Sequence, residues 1–134
     1  MHELILHLIG DYVLQTEQMA VRKLHSWGWA LVHALVYSVP FFIYLGIING
    51  SWTRGITAWA VIFGTHAVID RMAVASIVCR IKNLVWFGPG APHKEPNTGY
   101  SIETPPYIRF WLMVIVDNTL HLCFNHIALN WLNS

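Results

Sequence analysis

Long apolar stretches separated by short polar connections dominate the chain and predict an all-helical protein. Residues 28–48 form an uncharged run that only His33 and Pro40 interrupt, and residues 55–78 and 106–131 form two further apolar runs. Each run is close to the ~20 residues that a helix needs to cross the hydrocarbon core of a membrane. These three segments therefore predict membrane-spanning helices.

The first apolar segment, residues 4–20, differs because polar residues recur in it every three to four positions. His7, Asp11 and Gln15 lie on one stripe of a helix, which makes the segment amphipathic. We expect it to be a fourth spanning helix whose polar stripe faces the interior of a bundle. An interfacial or re-entrant helix is the alternative.

The predicted fold class is an all-α integral membrane four-helix bundle in a single domain over residues 1–134, with an amphipathic first helix. The helices are predicted at about 3–23, 27–48, 55–83 and 105–132. A loop is predicted at 88–104, because residues 88–106 hold five of the six prolines and three glycines. We also expect Gly10 and Gly64 to allow close approach of neighbouring helices.

The composition favours a membrane protein over a soluble one. The chain is 55% hydrophobic and 11% charged, and its mean hydropathy is +0.47. A net charge of +1 gives no electrostatic reason to expect a nucleic acid, so the expected partner is the lipid bilayer. Cys79 and Cys123 lack the spacing of a zinc finger or a redox motif, so we expect neither a disulfide framework nor a thiolate metal site.

The basic residues are distributed asymmetrically along the predicted bundle. Arg54 lies on one side, and the other seven lie on or beside the connections between helices 1 and 2 and between helices 3 and 4. The positive-inside rule places these two connections in the cytoplasm and both termini outside. The seven residues are Arg22, Lys23, Arg71, Arg80, Lys82, Lys94 and Arg109.

Three His/Asp pairs with helical spacing lie inside the apolar segments, and the third has the reverse order. They are His7 with Asp11, His66 with Asp70, and Asp117 with His121. Residues four apart are neighbours on one helix face. On helices that alternate in direction, the carboxylates fall ~12–16 Å and the imidazoles ~18–22 Å from the cytoplasmic ends, with His33 and Gln15 at ~10 Å. We therefore predict one site built of an imidazole layer and a carboxylate layer, with His33 closing the ring.

Ionisable groups at membrane depth cost ~2.5–3.5 kcal/mol each by insertion scales, so the carboxylates need to be neutralised. Imidazole and carboxylate ligands without thiolate favour a divalent metal such as zinc, manganese or iron. The number of candidate ligands leaves room for two ions. The predicted ligands are His7, Asp11, His33, His66, Asp70, Asp117 and His121.

The predicted function is metal-dependent hydrolysis of a phosphoester or a lipid-like substrate on the cytoplasmic side of the membrane. A bound metal lowers the pKa of a water molecule and polarises the substrate. Asp11, Asp70 and Asp117 are the expected catalytic residues, and Gln15, Lys23 and Arg71 are the expected substrate-binding residues. No serine or cysteine nucleophile with a matching base is evident in the sequence.

Two other functions use the same residues. The His/Asp core is also typical of an ion or proton path in a channel or transporter. In a non-catalytic membrane interaction protein, the three pairs would instead form hydrogen bonds that stabilise helix packing.

The motifs HxxxDxxLQ from His7, HxxxD from His66 and DxxxH from Asp117 resemble those of a bacterial and phage family. Its members are small multi-spanning membrane proteins with a domain of unknown function, and the resemblance covers nearly the whole chain. The family often has Gln at the position of Asn118, and Lys shortly after the second Asp, where this chain has Arg71. The resemblance implies a multi-pass protein of the bacterial cytoplasmic (inner) membrane and no particular activity. The chain is also loosely similar to membrane-bound proteins labelled metal-dependent hydrolases.

Overall fold

The computed structural model describes residues 1–48, 52–87 and 94–131, and most of them lie in helices. Within these ranges there is no β-strand, so the all-α prediction is confirmed. The helices are α1 (His2–Leu8), which continues into a π-helical segment (Ile9–Val13), α2 (Glu17–Arg22), α3 (Trp27–Ile48), α4 (Trp52–Arg71), α5 (Val74–Phe87) and α6 (Pro106–Trp131).

Two of these helices are long and apolar enough to cross a membrane. They are α3, over Trp27–Ile47, and α6, over Pro106–Asn130. Helices α4 and α5 form a third candidate only if they are taken together as one broken span. The break includes Ala73, whose φ of 49° lies in the left-handed region that residues other than glycine rarely adopt. The helix predicted at 55–83 is therefore interrupted, and the described residues contain two or three candidate spans rather than four.

The continuous first helix predicted over 3–23 is not observed. Its first part ends at Val13, and Thr16 has an extended backbone with φ −85° and ψ 159°. The Thr16 side chain accepts a hydrogen bond from the backbone N–H of Met19 at 3.3 Å, which caps the start of α2. Helix α1 and the π-helical segment have 7 and 5 residues, fewer together than the ~20 needed to span a membrane.

The chain divides into two compact units, and the single domain expected from the sequence stays a prediction. The first unit contains Met1–Met72 and His121–Ser134, and the second contains Ala73–Leu120. Helix α6 runs through both, so its early part belongs to the second unit and its late part to the first.

An apolar core holds the first unit together. Small residues such as Ala34 and Ala58 are buried, which allows helix backbones to approach closely. The indole N–H of Trp59 in α4 donates to the Ser38 hydroxyl in α3 at 2.9 Å. The core residues come from α3, α4 and α6: Tyr37, Phe41, Leu45, Ala58, Ile62, Ala128 and Leu129.

The first unit buries polar side chains and exposes apolar ones. Its buried polar residues include His7, Asp11, His33, His66, Asp70, His121 and Asn125. Its exposed residues on α3 include Leu31, Val32, Leu35, Val39, Phe42 and Ile43. Soluble proteins have the opposite distribution and rarely expose contiguous apolar surface. The arrangement is typical of a surface that faces lipid.

The second unit packs the segment after residue 94 against α5. Asn83 donates a side-chain hydrogen bond to the backbone oxygen of Thr98 at 2.9 Å, and the Tyr100 hydroxyl donates to the Cys79 sulfur at 3.4 Å. Burial and the Cys79 thiol together raise the pKa of the Tyr100 hydroxyl. Part of the loop predicted at 88–104, residues 88–93, lies outside the described residues.

Gly10 permits a close helix contact, whereas Gly64 does not serve that purpose. A Cβ added at Gly10 would lie 2.5 Å from the Tyr37 ring and 2.8 Å from the Tyr37 backbone oxygen. A Cβ added at Gly64 would meet no described atom within 4 Å. The prediction for Gly10 is confirmed, and the prediction for Gly64 is wrong.

We expect Gly10→Ala to lower the free energy of unfolding by ~1–3 kcal/mol, because the added methyl group overpacks the contact with Tyr37. Gly64→Ala is the matched control. Because alanine is the better helix former, it should be neutral or stabilising by up to ~1 kcal/mol. Thermal unfolding of the purified proteins in detergent, followed by circular dichroism, measures both effects. Equal effects of the two substitutions would contradict this prediction.

Candidate metal centre

Four elements of the first unit bring buried imidazoles and carboxylates together. The π-helical segment supplies Asp11, α3 supplies His33, α4 supplies His66 and Asp70, and the late part of α6 supplies His121. In α4 the i,i+4 spacing directs both side chains to one face, and His66 Nε2 lies 3.1 Å from Asp70 Oδ2. The π-helical turn is a feature that often marks functional sites in helices.

Four of these atoms form a compact cluster, the four-atom cluster, in which two triangles share the edge between His33 Nε2 and His66 Nε2. His33 Nε2 is 2.9 Å from His66 Nε2, and it is 3.2 Å from both Asp11 Oδ1 and Asp70 Oδ2. His66 Nε2 is 3.4 Å from Asp11 Oδ1 and 3.1 Å from Asp70 Oδ2. Ligands ~2.0–2.1 Å from a tetrahedral zinc ion are ~3.3 Å from one another, which matches these five edges. Imidazoles and carboxylates thus interleave in one cluster, instead of forming the two layers that the sequence predicted.

Two carboxylate oxygens of the four-atom cluster are buried, and the Lys23 ammonium lies 3.0 Å from one of them, Asp70 Oδ2. Asp11 Oδ1 and Asp70 Oδ2 are buried and accept no hydrogen bond of good geometry from the described residues. Leaving a charged acceptor buried in that way is costly. A cation at the centre of the cluster would bind both oxygens and the lone pairs of both imidazole nitrogens. The donor set therefore fits a divalent metal ion.

His121 and His7 border the four-atom cluster. The His121 ring stacks on His66 with 4.1 Å between centroids, and its Nε2 lies 3.5 Å from Asp70 Oδ1. Asp11, His66 and His121 form a second possible ligand triad beside that of His33, His66 and Asp70. His7 Nδ1 lies 3.4 Å from Asp11 Oδ2, the Asp11 oxygen outside the four-atom cluster. In this geometry, His7 orients Asp11.

Tyr37 and Asn125 belong to the site, although the sequence analysis did not select them. The Tyr37 ring stacks on His66 with 3.6 Å between centroids, and its hydroxyl lies 2.9 Å from His7 Nδ1. The Asn125 amide donates to the Tyr37 hydroxyl at 2.6 Å. Each residue lies four positions after a predicted ligand on the same helix. Extending the i,i+4 pattern by one turn would have found both.

Lys23 and Gln15, two predicted substrate-binding residues, lie at the more exposed edge of the site. Lys23 Nζ is 3.0 Å from Asp70 Oδ2, 3.3 Å from His33 Nε2, and donates to Gln15 Oε1 at 3.0 Å. Asp11 and Asp70 carry two negative charges against the one positive charge of Lys23. When the imidazoles are neutral, this leaves one carboxylate without a cation, which a divalent ion at the centre would neutralise.

Arg71 and Asp117 are placed differently from the other predicted site residues. The Arg71 guanidinium donates to the backbone oxygen of Leu24 at 3.0 Å and lies over the Trp27 ring. The contact of Arg71 with a substrate anion stays a prediction. Asp117 is partly buried in α6, one turn before His121, within the second unit. Its role as a ligand also stays a prediction.

Residues 1–131 match the family described as Protein of unknown function (DUF3307). The chain belongs to the DUF3307 family. This match confirms the predicted membership in a family of unknown function. The whole candidate metal centre lies inside the matched residues. No curated protein and no solved structure matches this DUF3307 chain. Because the family description names no activity, the function has to be inferred from the site.

Proposed function

We propose that this protein is a membrane-embedded, divalent-metal-dependent hydrolase that acts on a phosphoester or lipid-like substrate. The proposal rests on the closeness of the Asp11, His33, His66 and Asp70 ligand atoms, in which both imidazole nitrogens lie 2.9–3.4 Å from each other and from the two carboxylate oxygens. Nitrogen and oxygen ligands without thiolate favour zinc, manganese or iron.

The side chains around the metal position suit hydrolysis. A divalent ion supplies a water molecule acidic enough to act as a nucleophile at neutral pH. His121, with its Nε2 3.5 Å from Asp70 Oδ1, is placed to take a proton as a general base. His7 and the Tyr37 hydroxyl hold the carboxylate of Asp11 in a fixed orientation.

A lipid-like substrate is supported by an apolar groove between the first segment and α3. The groove has a volume of about 470 Å³ and an entirely apolar lining, which suits an acyl chain. Leu14 lines it, and the next residue, Gln15, binds the Lys23 ammonium. An acyl chain in the groove would thus place an anionic headgroup near Lys23. The lining residues are Leu6, Ile9, Leu14, Val39, Pro40, Ile43, Tyr44 and Ile47.

The proposed location is the bacterial cytoplasmic (inner) membrane, with several passes and both termini outside. The two apolar helices, the exposed apolar residues of α3 and the one-sided distribution of Lys and Arg support it. In this orientation, the Lys23 edge of the site faces the cytoplasm.

Metal removal and return test the proposal. We expect the full chain, purified in detergent, to hold one or two divalent ions, measured by elemental mass spectrometry. Chelation should lower the unfolding temperature, and restoring metal at 100 times its Kd should stabilise the protein by ~2.7 kcal/mol. Release of nitrophenol from a nitrophenyl phosphodiester should stop on chelation and return with zinc, manganese or iron. Wild-type protein that neither binds nor is stabilised by these ions would contradict the proposal.

A proton path is the second candidate, because polar contacts continue beyond the ligand atoms. They run from Lys23 to the Tyr37 hydroxyl, which contacts Asn125, by way of Asp70, His33, Asp11 and His7. Chains of this kind serve as proton relays in membranes. Proton flux into proteoliposomes that persists in metal-free protein and disappears in Asp11→Asn would favour this candidate over the hydrolase.

A further inference from the structure

The Lys23 ammonium occupies part of the space that a metal ion would need. Its Nζ lies 3.0 Å from Asp70 Oδ2 and 3.3 Å from His33 Nε2, and both atoms belong to the four-atom cluster. A divalent ion bound to the same oxygen would stand a few ångströms from the ammonium. Like charges at that distance repel strongly in a buried site. Lys23 and the metal ion therefore compete for Asp70.

The location of Lys23 allows its ammonium to move away from Asp70. It follows the last residue of α2, and its side chain is 14% exposed, compared with 3% for Asp70. The lysine ammonium is carried on a flexible four-carbon stem, so it can change partners without moving the backbone. Gln15 already accepts one of its hydrogen bonds at 3.0 Å. The amide is a neutral partner toward which the ammonium can move.

We propose that Lys23 is a displaceable internal cation that couples metal binding to binding of an anionic, phosphate-class group. Without a divalent ion, Lys23 neutralises Asp70. When the ion binds, the ammonium is released toward Gln15 and becomes the anchor for a phosphate at the exposed edge. Lysine is a common phosphate ligand in proteins because it presents a compact positive charge. This inference rests on the proposed metal function.

The coupling is testable because linkage between two ligands is reciprocal. Mn²⁺ binding to the full detergent-solubilised chain is measured from the electron paramagnetic resonance signal of the free ion, corrected for Mn²⁺ complexed by phosphate. In wild type, inorganic phosphate should tighten Mn²⁺ binding within the ~5- to 150-fold range of typical couplings. Lys23→Met should bind Mn²⁺ about tenfold more tightly without phosphate, and phosphate should then have no effect.

Arg22→Met is the matched control, because it removes the neighbouring positive charge, which lies over the Trp29 ring. It should leave both the Mn²⁺ affinity and the phosphate effect unchanged. A second arm replaces phosphate with nanodiscs of phosphatidic acid or of phosphatidylcholine. Coupling to phosphatidic acid alone assigns the anion to a lipid headgroup, and coupling to inorganic phosphate alone assigns it to a free phosphate group.

The outcomes separate this inference from the metal proposal. If wild type binds Mn²⁺ but neither phosphate nor phosphatidic acid changes its affinity, the coupling is refuted and the metal site stands. The same holds if Lys23→Met binds Mn²⁺ no more tightly than wild type. The wild-type titrations do not depend on the variant. An absence of coupling in wild type therefore refutes this inference even if Lys23→Met does not fold. If no chain binds Mn²⁺, zinc or iron, the metal function itself fails.

Discussion

Asp70→Asn is expected to abolish stable divalent-metal binding. Asp70 Oδ2 lies within 3.2 Å of His33 Nε2 and His66 Nε2, and its other oxygen lies 3.5 Å from His121 Nε2. Asparagine keeps the shape of the side chain and removes the negative charge that holds the cation. Loss of residues that only support a ligand costs 10–100-fold in metal affinity, so loss of a ligand should cost at least about 100-fold. Metal per chain after identical dialysis measures the effect.

Glu103→Gln is the matched control for Asp70→Asn, because it also converts a carboxylate to an amide. Glu103 is exposed in the segment before α6. This variant should keep the wild-type metal content. If Asp70→Asn also retains it, Asp70 is not a ligand and the proposed ligand set is wrong at that residue.

Tyr37→Ala should cause the largest loss of stability, ~3–5 kcal/mol, because it removes a fully buried aromatic ring from the core. The ring stacks on His66, so its loss also removes the support of a proposed ligand. Tyr37→Phe isolates the hydroxyl, which lies within hydrogen-bonding distance of His7 and Asn125. Leaving those buried groups without a partner should cost ~1–3 kcal/mol. Denaturant unfolding in mixed micelles measures both variants.

Tyr44→Phe controls for the loss of a tyrosine hydroxyl on the same helix. The Tyr44 hydroxyl contacts His2 Nδ1 at 3.2 Å in an exposed position. Its removal should change the free energy of unfolding by less than ~0.5 kcal/mol. Similar costs for the two Tyr→Phe changes would mean that the Tyr37 hydroxyl makes no special contribution to the buried network.

Much of the candidate centre follows from helical periodicity alone. The pairs His7/Asp11 and His66/Asp70 share a face because residues four apart on a helix are neighbours. The same rule places Tyr37 on the face of α3 that carries His33. Burying such groups inside apolar helices is expensive, so the sequence also indicates that they meet one another or a cation. The structure brings these residues together in the first unit.

The contacts of Lys23, by contrast, could not be predicted from spacing. The sequence suggests a boundary lysine that meets a substrate, whereas the structure places its ammonium 3.0 Å from Asp70. That position depends on the break before α2, where Thr16 is extended and caps a new helix. A continuous helix over 3–23 would have carried Lys23 further along the axis of the first segment.

By itself, the sequence determined the all-helical class, the apolar segments and the residues that share each helical face. These properties depend on residues close together in the chain. Only the tertiary structure decided which faces meet, that the first segment is interrupted, and that Gly10 packs against Tyr37 while the neighbouring Asp11 meets the imidazoles. Such contacts join residues far apart in the chain, and they depend on packing between helices that no local spacing encodes.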